Sequence, residues 1–335
     1  MQKNVTIASL AKELGLSQSA VSKALNDYPD ISPETKQLVR SKADELGYSP
    51  NMMARNLAKR TSNFVGFVVD DMASIYGEMF KALNTVARRH GLNLILYETN
   101  RDPSIETACI QSLIDIMAMG IVVAPVSENI DQIEKTTRNR VPVVYLGEKV
   151  FKDSVNYVCS DSAVGTELAM RHLISKGHRR IAMLCDQKSS VSQSRKIQTY
   201  QDFMRSIWQQ EQIFYADAQN CHMTEAGYQL GKKLAASRAS YTALLAANDQ
   251  LAIGAMGALK EAGIRIPEQV AVTGCDGIDA SALPLIGLTT VAQPRMKTAE
   301  IIIDILRRHA ANPDTTAEHH LIKPELIIRN STSLR

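Results

Sequence analysis

Long hydrophobic runs are missing from this 335-residue chain. No uninterrupted apolar stretch reaches the ~18 residues of a membrane-spanning helix, so such a span is excluded. Met1 to Gly15 lacks the apolar core of a secretory signal, so the chain is expected in the cytoplasm. Cysteine is sparse: Cys109, Cys159, Cys185, Cys221 and Cys275 stand singly, with no C-x-x-C pair. That argues against a disulfide framework and a zinc site, and leaves the five as small buried hydrophobes. The seven histidines form no H-E-x-x-H pattern, and no G-x-S-x-G elbow or G-x-x-x-x-G-K-[ST] loop occurs. No metal, cofactor or catalysis is expected on these grounds.

What is present is ordinary for a globular chain: 45% hydrophobic and 22% charged residues, at a length that predicts two or three domains. The net charge of +3 is unevenly placed. Residues 1–62 hold nine Lys/Arg against six Asp/Glu, whereas the remaining 273 hold 29 of each. Residues 47–62 carry Arg55, Lys59 and Arg60 and no acid. A local basic excess is the electrostatic footprint of a polyanion partner, although short charge runs also occur on solvated surface.

The first sixty residues have clear helical spacing. Ile7, Leu10, Ala11 and Leu14 form one face, with Thr6 as N-cap and Gly15 as the stop. Ser17 caps a second helix, and Leu16 before it can pack on Val21 as a hydrophobic staple. Val21, Ala24 and Leu25 make its inner stripe. Ser32-Pro33-Glu34 opens a third, whose expected buried face is Leu38, Val39, Ala43 and Leu46, ended by Gly47. Three short helices with a tight Gly15-Leu16 turn describe a helix-turn-helix bundle. The outer face of the second helix carries Gln18, Ser19, Ser22 and Lys23, side chains able to reach base edges in a major groove. Any three-helix bundle also has a solvated polar face. Residues 52–58 are helix-compatible but only about two turns long, too short to hold alone in water. They would fold against something, and DNA is one such surface. Leu57 is then a candidate wedge between base steps, or else a residue buried against the next domain.

Thr6-Ile7, Ala11, the run Gly15 to Asn26, then Gly47-Tyr48-Ser49-Pro50-Asn51, Ala54-Arg55 and Leu57 resemble the LacI/GalR family of bacterial transcription regulators. The resemblance implies that Gln18, Ser19 and Lys23 read bases, while Thr6, Ser17, Ser22, Asn26, Tyr48 and Asn51 hold phosphates. Arg55 is a further implied DNA contact, and Leu57 with Ala58 would enter the minor groove beside a two-fold mate. It also implies a helix-turn-helix domain at 1–49, a hinge helix and linker at 50–62, and an effector and dimerisation domain at 63–335.

From Phe64 onward, β-branched runs alternate with amphipathic segments. Strands are expected at Phe64–Val69, Leu92–Tyr97, Ile121–Ala124, Val141–Leu146, Ile181–Leu184, Ala243–Ala246 and Val270–Gly274. Strands spaced by helices predict α/β architecture with parallel sheets, and the length suits two of them. Ligands bind open parallel sheets at the strand carboxyl ends, so a cleft between two sheets is the natural site. The resemblance runs on through Ser160-Asp161, Gly177-His178-Arg179-Arg180, Ala247-Asn248-Asp249, Gly274-Cys275-Asp276, Gln293-Pro294 and Pro324-Glu325-Leu326. It implies two doubly wound subdomains of periplasmic-binding-protein type: 63–160 plus about 293–320, and 161–292 plus about 321–335.

By the same resemblance the cleft residues would be Tyr76, Glu148, Asp161, Thr199, His222, Asn248, Asp276 and Gln293. Amides and carboxylates beside an aromatic face suit a polyhydroxylated ligand; Tyr76 and Asp276 are equally compatible with packing and turn roles. Three positions depart from the family pattern. Gly147-Glu148 stands where many members have Asp-Arg, Thr199 stands four residues before Phe203 in place of an arginine, and His222 replaces an aromatic wall. Arg195 lies one helical turn before Thr199. Fewer cationic forks, with Glu148 and Asp276 repelling anions, predict a sugar or other neutral, or cationic, metabolite. The expected whole is a non-enzymatic, homodimeric repressor that binds near-palindromic double-stranded DNA under effector control. The alternative is a regulator triggered by a protein co-effector of the catabolite-control type. The chain shows no leucine-heptad tail, so a dimer rather than a tetramer is expected.

Overall fold

The computed structural model describes residues 5–48, 62–72, 75–127, 130–138, 140–186, 191–217, 221–237 and 241–333. The chain divides into two compact units, Met1–Ser62 and Asn63–Arg335.

The first unit holds α1 (Ile7–Leu14), α2 (Gln18–Leu25) and α3 (Pro33–Glu45). Thr6 and Ser9 form a reciprocal capping box, and Gly15 closes α1 in the left-handed conformation at φ 65°. Ser17 Oγ accepts from Ala20 N, and Ser32 Oγ accepts from Thr35 N at the start of α3. Leu10, Ala11, Val21, Ala24, Val39 and Ala43 make the core, with Leu16, Leu25, Leu46 and Tyr48 packed at its margin. Leu38 corrects the expected buried face: it is 55% exposed. Val39 and Ala43, four apart, set the inward stripe, and a neighbour about 100° away on the helix cannot share it.

The second unit contains two six-stranded sheets. The strands in chain order are β1 (Phe64–Val69), β2 (Asn93–Glu98), β3 (Gly120–Val123), β4 (Val143–Leu146), β5 (Asn156–Ser160), β6 (Ile181–Asp186), β7 (Ile213–Ala216), β8 (Ala243–Ala246), β9 (Ala271–Asp276), β10 (Thr289–Ala292), β11 (His319–Ile322) and β12 (Glu325–Ile327). The helices are α4 (Ile75–Arg89), α5 (Pro103–Asp115), α6 (Asp131–Thr137), α7 (Ser162–Ser175), α8 (Val191–Ser206), α9 (Met223–Ala236), α10 (Asp249–Glu261) and α11 (Arg295–Ala311). Sheet order is β11-β5-β4-β3-β1-β2 in one subdomain and β12-β10-β9-β8-β6-β7 in the other. All ladders are parallel except β10 with β12.

Strand alternation builds each core. Val65, Phe67 and Val69 of β1 pack on the α4 and α11 side, and Val68 faces the α5 side. In the second sheet Ala182 and Leu184 point to α9 and α10, and Ile181, Met183 and Cys185 to α7 and α8. Both sheets are thus buried on two faces, as parallel sheets require. Helices α9 and α10 approach closely because Gly227 and Gly254 stand at their crossing: a Cβ on Gly254 would lie 2.0 Å from Thr224 O. The chain crosses between subdomains three times: after β5, after β10, and between β11 and β12. The third crossing falls at Lys323-Pro324, slightly beyond the boundary expected near 320, because β11 completes the first sheet by pairing with β5.

Candidate functional site

In the first unit, α2 presents Gln18 and Ser19 to solvent, with Ser22 and Lys23 partly exposed on the next turn. Thr6 and Ser17 sit at helix N-termini, where unpaired backbone N–H groups favour phosphate. Asn26 donates through Nδ2 to Ser22 O at 2.8 Å, which fixes its side chain at the end of α2. Tyr48 rests its ring at the margin of the core. Lys23 Nζ lies 2.5 Å from Asp30 Oδ2, and this pairing raises the lysine pKa above its ordinary value. The pair is exposed and solvent-screened, so a stronger partner can recruit the ammonium. Asn51, Arg55, Leu57 and Ala58 lie outside the described residues, as does the expected hinge at 50–62 except Ser62.

In the second unit, the carboxyl ends of both sheets meet at a cavity of about 630 Å³, the size of a small-molecule site. Asp70 follows β1, Arg101 follows β2, and Gly147, Glu148 and Lys149 follow β4. From the other sheet come Asp186, Asn248 and Asp276, at the ends of β6, β8 and β9. Six of the eight expected ligand residues line this cleft: Tyr76, Glu148, His222, Asn248, Asp276 and Gln293. Asp161 and Thr199 do not. Asp161 Oδ1 instead caps α7, accepting from Ala163 N and Val164 N at 3.0 and 3.1 Å. Thr199 donates its hydroxyl to Arg195 O at 2.9 Å, a bond within its own helix.

The cleft cations correct the expected lack of positive charge. Lys196, Arg101, Lys149 and Arg295 all line it. Lys196 donates to Ala247 O at 2.8 Å and precedes the fully buried Tyr200 by one helical turn. Tyr200, rather than Phe203, is the aromatic that fixes which residue of α8 faces inward, and that register in the sequence could have pointed to Lys196. Asp70 Oδ2 lies between Arg101 Nε and Lys149 Nζ, at 4.0 and 3.9 Å. Asp70 and Asp186 were also missed, although each directly follows a hydrophobic strand run, where such acids reach a cleft.

Each key acid has a compensating partner. Asp276 Oδ1 accepts from Gln293 Nε2 at 2.9 Å. Burial pushes the Asp276 carboxyl above its ordinary range, opposed by nearby Lys196. Burial, then the charges of Asp70 and Asp276, likewise push the Tyr76 hydroxyl well above ordinary tyrosine values, so it stays a neutral donor. Glu148 is 4% exposed and faces the Arg195 guanidinium, so it does not act as the bare repulsive charge expected from the sequence. Asn248 Oδ1 caps α10 by accepting from Leu251 N at 2.8 Å, which leaves Nδ2 as its donor. Behind the wall, Asp249 is fully buried, accepting from Thr290 Oγ1 at 2.5 Å and Ile278 N at 2.9 Å. Burial, then Asp276, pushes its carboxyl up to about 7. Among the described residues no cluster of His, Cys, Asp and Glu has a metal-holding arrangement, and no helix is long and apolar enough to cross a membrane.

Residues 6–51 match the family described as bacterial regulatory proteins, lacI family, and residues 170–332 match a periplasmic binding protein-like domain. The chain is 30% identical over 310 residues to the HTH-type transcriptional regulator AscG of Escherichia coli, covering 90% of both chains. It is 29% identical over 335 residues to the HTH-type transcriptional repressor PurR of Mannheimia succiniciproducens, covering 97% of this chain and 98% of that one. Among solved structures it is similar to the Lac repressor dimer bound to operator and the anti-inducer ONPF, with TM-score 0.86 and 25% identity over 98% of this chain and 99% of that one.

Proposed function

The chain belongs to the lacI family of bacterial regulatory proteins, and on that footing we propose a homodimeric repressor whose grip on operator DNA is set by a neutral, polyhydroxylated metabolite in the cleft. Gln18, Ser19 and Lys23 read base edges from the outer face of α2. Thr6, Ser17, Ser22, Asn26, Tyr48 and Asn51 hold phosphates, with Arg55 as a further contact and Leu57 and Ala58 at the operator centre. A symmetric pair spaces its two reading helices by about 34–36 Å or a multiple, which matches a near-palindrome. Leu285, 90% exposed, and Leu283, 53% exposed, supply apolar surface for a second copy of the chain.

One observation carries the effector reading: acids and cations interleave around the cavity, so that donors and acceptors converge with their charges compensated. Hydroxyl groups use both kinds of partner, whereas a strong anion or a strong cation meets no lining of a single opposite sign. Ligand binding acts on DNA affinity only through its preference between subdomain arrangements.

The test is titration calorimetry of the full chain against neutral sugars, nucleosides, amines, phosphorylated sugars and dicarboxylates, beside gel shifts on DNA selected from a random pool. Binding of neutral polyols that also shifts DNA affinity is expected. Exclusive binding of phosphorylated or dicarboxylate ligands overturns the effector class. Failure to select any DNA overturns the regulator. Sedimentation at micromolar concentration is expected to show a dimer.

A further inference from the structure

Glu148 reaches the cleft from the first subdomain, in the loop after β4, with its side chain 2% exposed. Its carboxylate accepts from Ser162 N at 3.1 Å and from the Ser162 hydroxyl. The Arg195 guanidinium, on α8 of the second subdomain, forms an ion pair with it. The same guanidinium lies 3.2 Å from Asp161 Oδ1 and covers the Phe151 ring, 5.6 Å from its centroid. Arg195 does not itself line the cavity, and its side chain is 31% exposed where it meets Glu148.

We propose that Arg195 is a positioning residue that sets the charge selectivity of the cleft by pairing with Glu148 from outside the cavity lining. The inference rests on the reading of the cleft as the effector site. A buried carboxylate without a cation is strongly disfavoured and attracts any positive group available. Were Glu148 uncompensated, the cleft would favour an amine. With Arg195 paired to it, Glu148 shares a guanidinium with Asp161 and exerts a weaker pull on cations than it would alone, so the balance moves from an amine toward a neutral hydroxyl compound. The other cleft cations differ: Lys196, Arg101, Lys149 and Arg295 line the cavity directly. The Arg195 clasp also joins the two subdomains beside the first crossing, so it persists only in the arrangement that places Glu148 and α8 together. Selectivity and subdomain arrangement are therefore linked through one guanidinium.

The experiment compares the full chain with Arg195→Met, Arg195→Lys and the double variant Arg195→Met/Glu148→Gln. Calorimetry uses matched neutral and amino sugars (glucose with glucosamine, galactose with galactosamine, mannose with mannosamine), and thermal unfolding is recorded for each variant. Arg195→Met is expected to shift the ratio of neutral to amino-sugar affinity by about tenfold or more toward the amine. Adding Glu148→Gln restores the wild-type ratio and recovers the melting temperature lost in the single variant. Arg195→Lys keeps the neutral preference. Wild-type binding with an unchanged ratio in Arg195→Met overturns this inference alone. A double variant as impaired as Arg195→Met also overturns it, because Arg195 would then act only as packing. A wild-type protein that binds no member of the panel sinks the effector reading, and the selectivity claim with it.

Discussion

The two units handle charge in opposite ways. In the first, the side chains proposed to contact DNA stand in water: Gln18 and Ser19 are exposed, and Lys23 has only a screened pairing with Asp30. In the second, the polar groups are drawn inward and matched: Asp276 with Gln293 and Lys196, Asp70 with Arg101 and Lys149, Glu148 with Arg195. The difference follows from the partners. Duplex DNA brings its own dense charge and is met best by donors that exchange water and counterions readily. A small uncharged molecule, the proposed effector class, brings little, so its site is organised before arrival.

The comparison breaks most visibly at Asp249. Its carboxyl titrates at about 7 in the fold against 3.8 as its ordinary value. The folded state therefore holds a proton that the unfolded chain gives up between about pH 4 and pH 7. Stability contributed at this position is full below pH 4, falls as pH rises toward 7, and is flat beyond, by at most about 4 kcal/mol. Half-buried Asp276 has the same sign. Thermal unfolding from pH 4.5 to 8 (roughly the window that follows from these shifts) is expected to show this slope, and Asp249→Asn to flatten it. A slope unchanged in the variant would assign it elsewhere.

Next in size is Asp276→Ala. Removing this half-buried carboxylate from the proposed effector cleft should weaken ligand binding by about a hundredfold while leaving DNA affinity without ligand unaltered. Calorimetry beside gel shifts separates the two effects. Lys23→Ala should relax discrimination at one base pair by roughly tenfold to a hundredfold in competition gel shifts. An equal loss over all sequences would make Lys23 a phosphate contact. Leu57→Ala should weaken specific DNA binding in the same assay with no matching fall in melting temperature. Smallest of all is Leu38→Glu, expected within about 0.5 kcal/mol of wild type in denaturant unfolding, because that side chain is already in water.

Local chemistry made much of this molecule legible in the amino-acid order. The caps at Thr6, Ser17 and Ser32 and the stop at Gly15 carry their own short-range signals, and the runs at Phe64–Val69 and Ala243–Ala246 became strands with the bounds expected. What stayed hidden depends on partners distant in the chain. His319–Ile322 carries no apolar alternation, yet it is a strand because β5 offers it an edge. Leu38 and Val39 are equally hydrophobic, and only the packing of three helices chooses between them. Thr199 and Lys196 differ by three positions on α8, and the burial of Tyr200 decides which faces the cavity. The compensation of Glu148 by Arg195 spans 47 residues and two subdomains, and no spacing rule reaches that far.

The three crossings between the sheets are laid close beside one another, since β11 runs next to β5 and β12 next to β10. Parallel straps of this kind bend together like the leaves of a flexure and resist being wrung. Bending of one subdomain toward the other is thereby favoured over twisting, and under the proposed function the work done by an entering guest would be channelled into that bend.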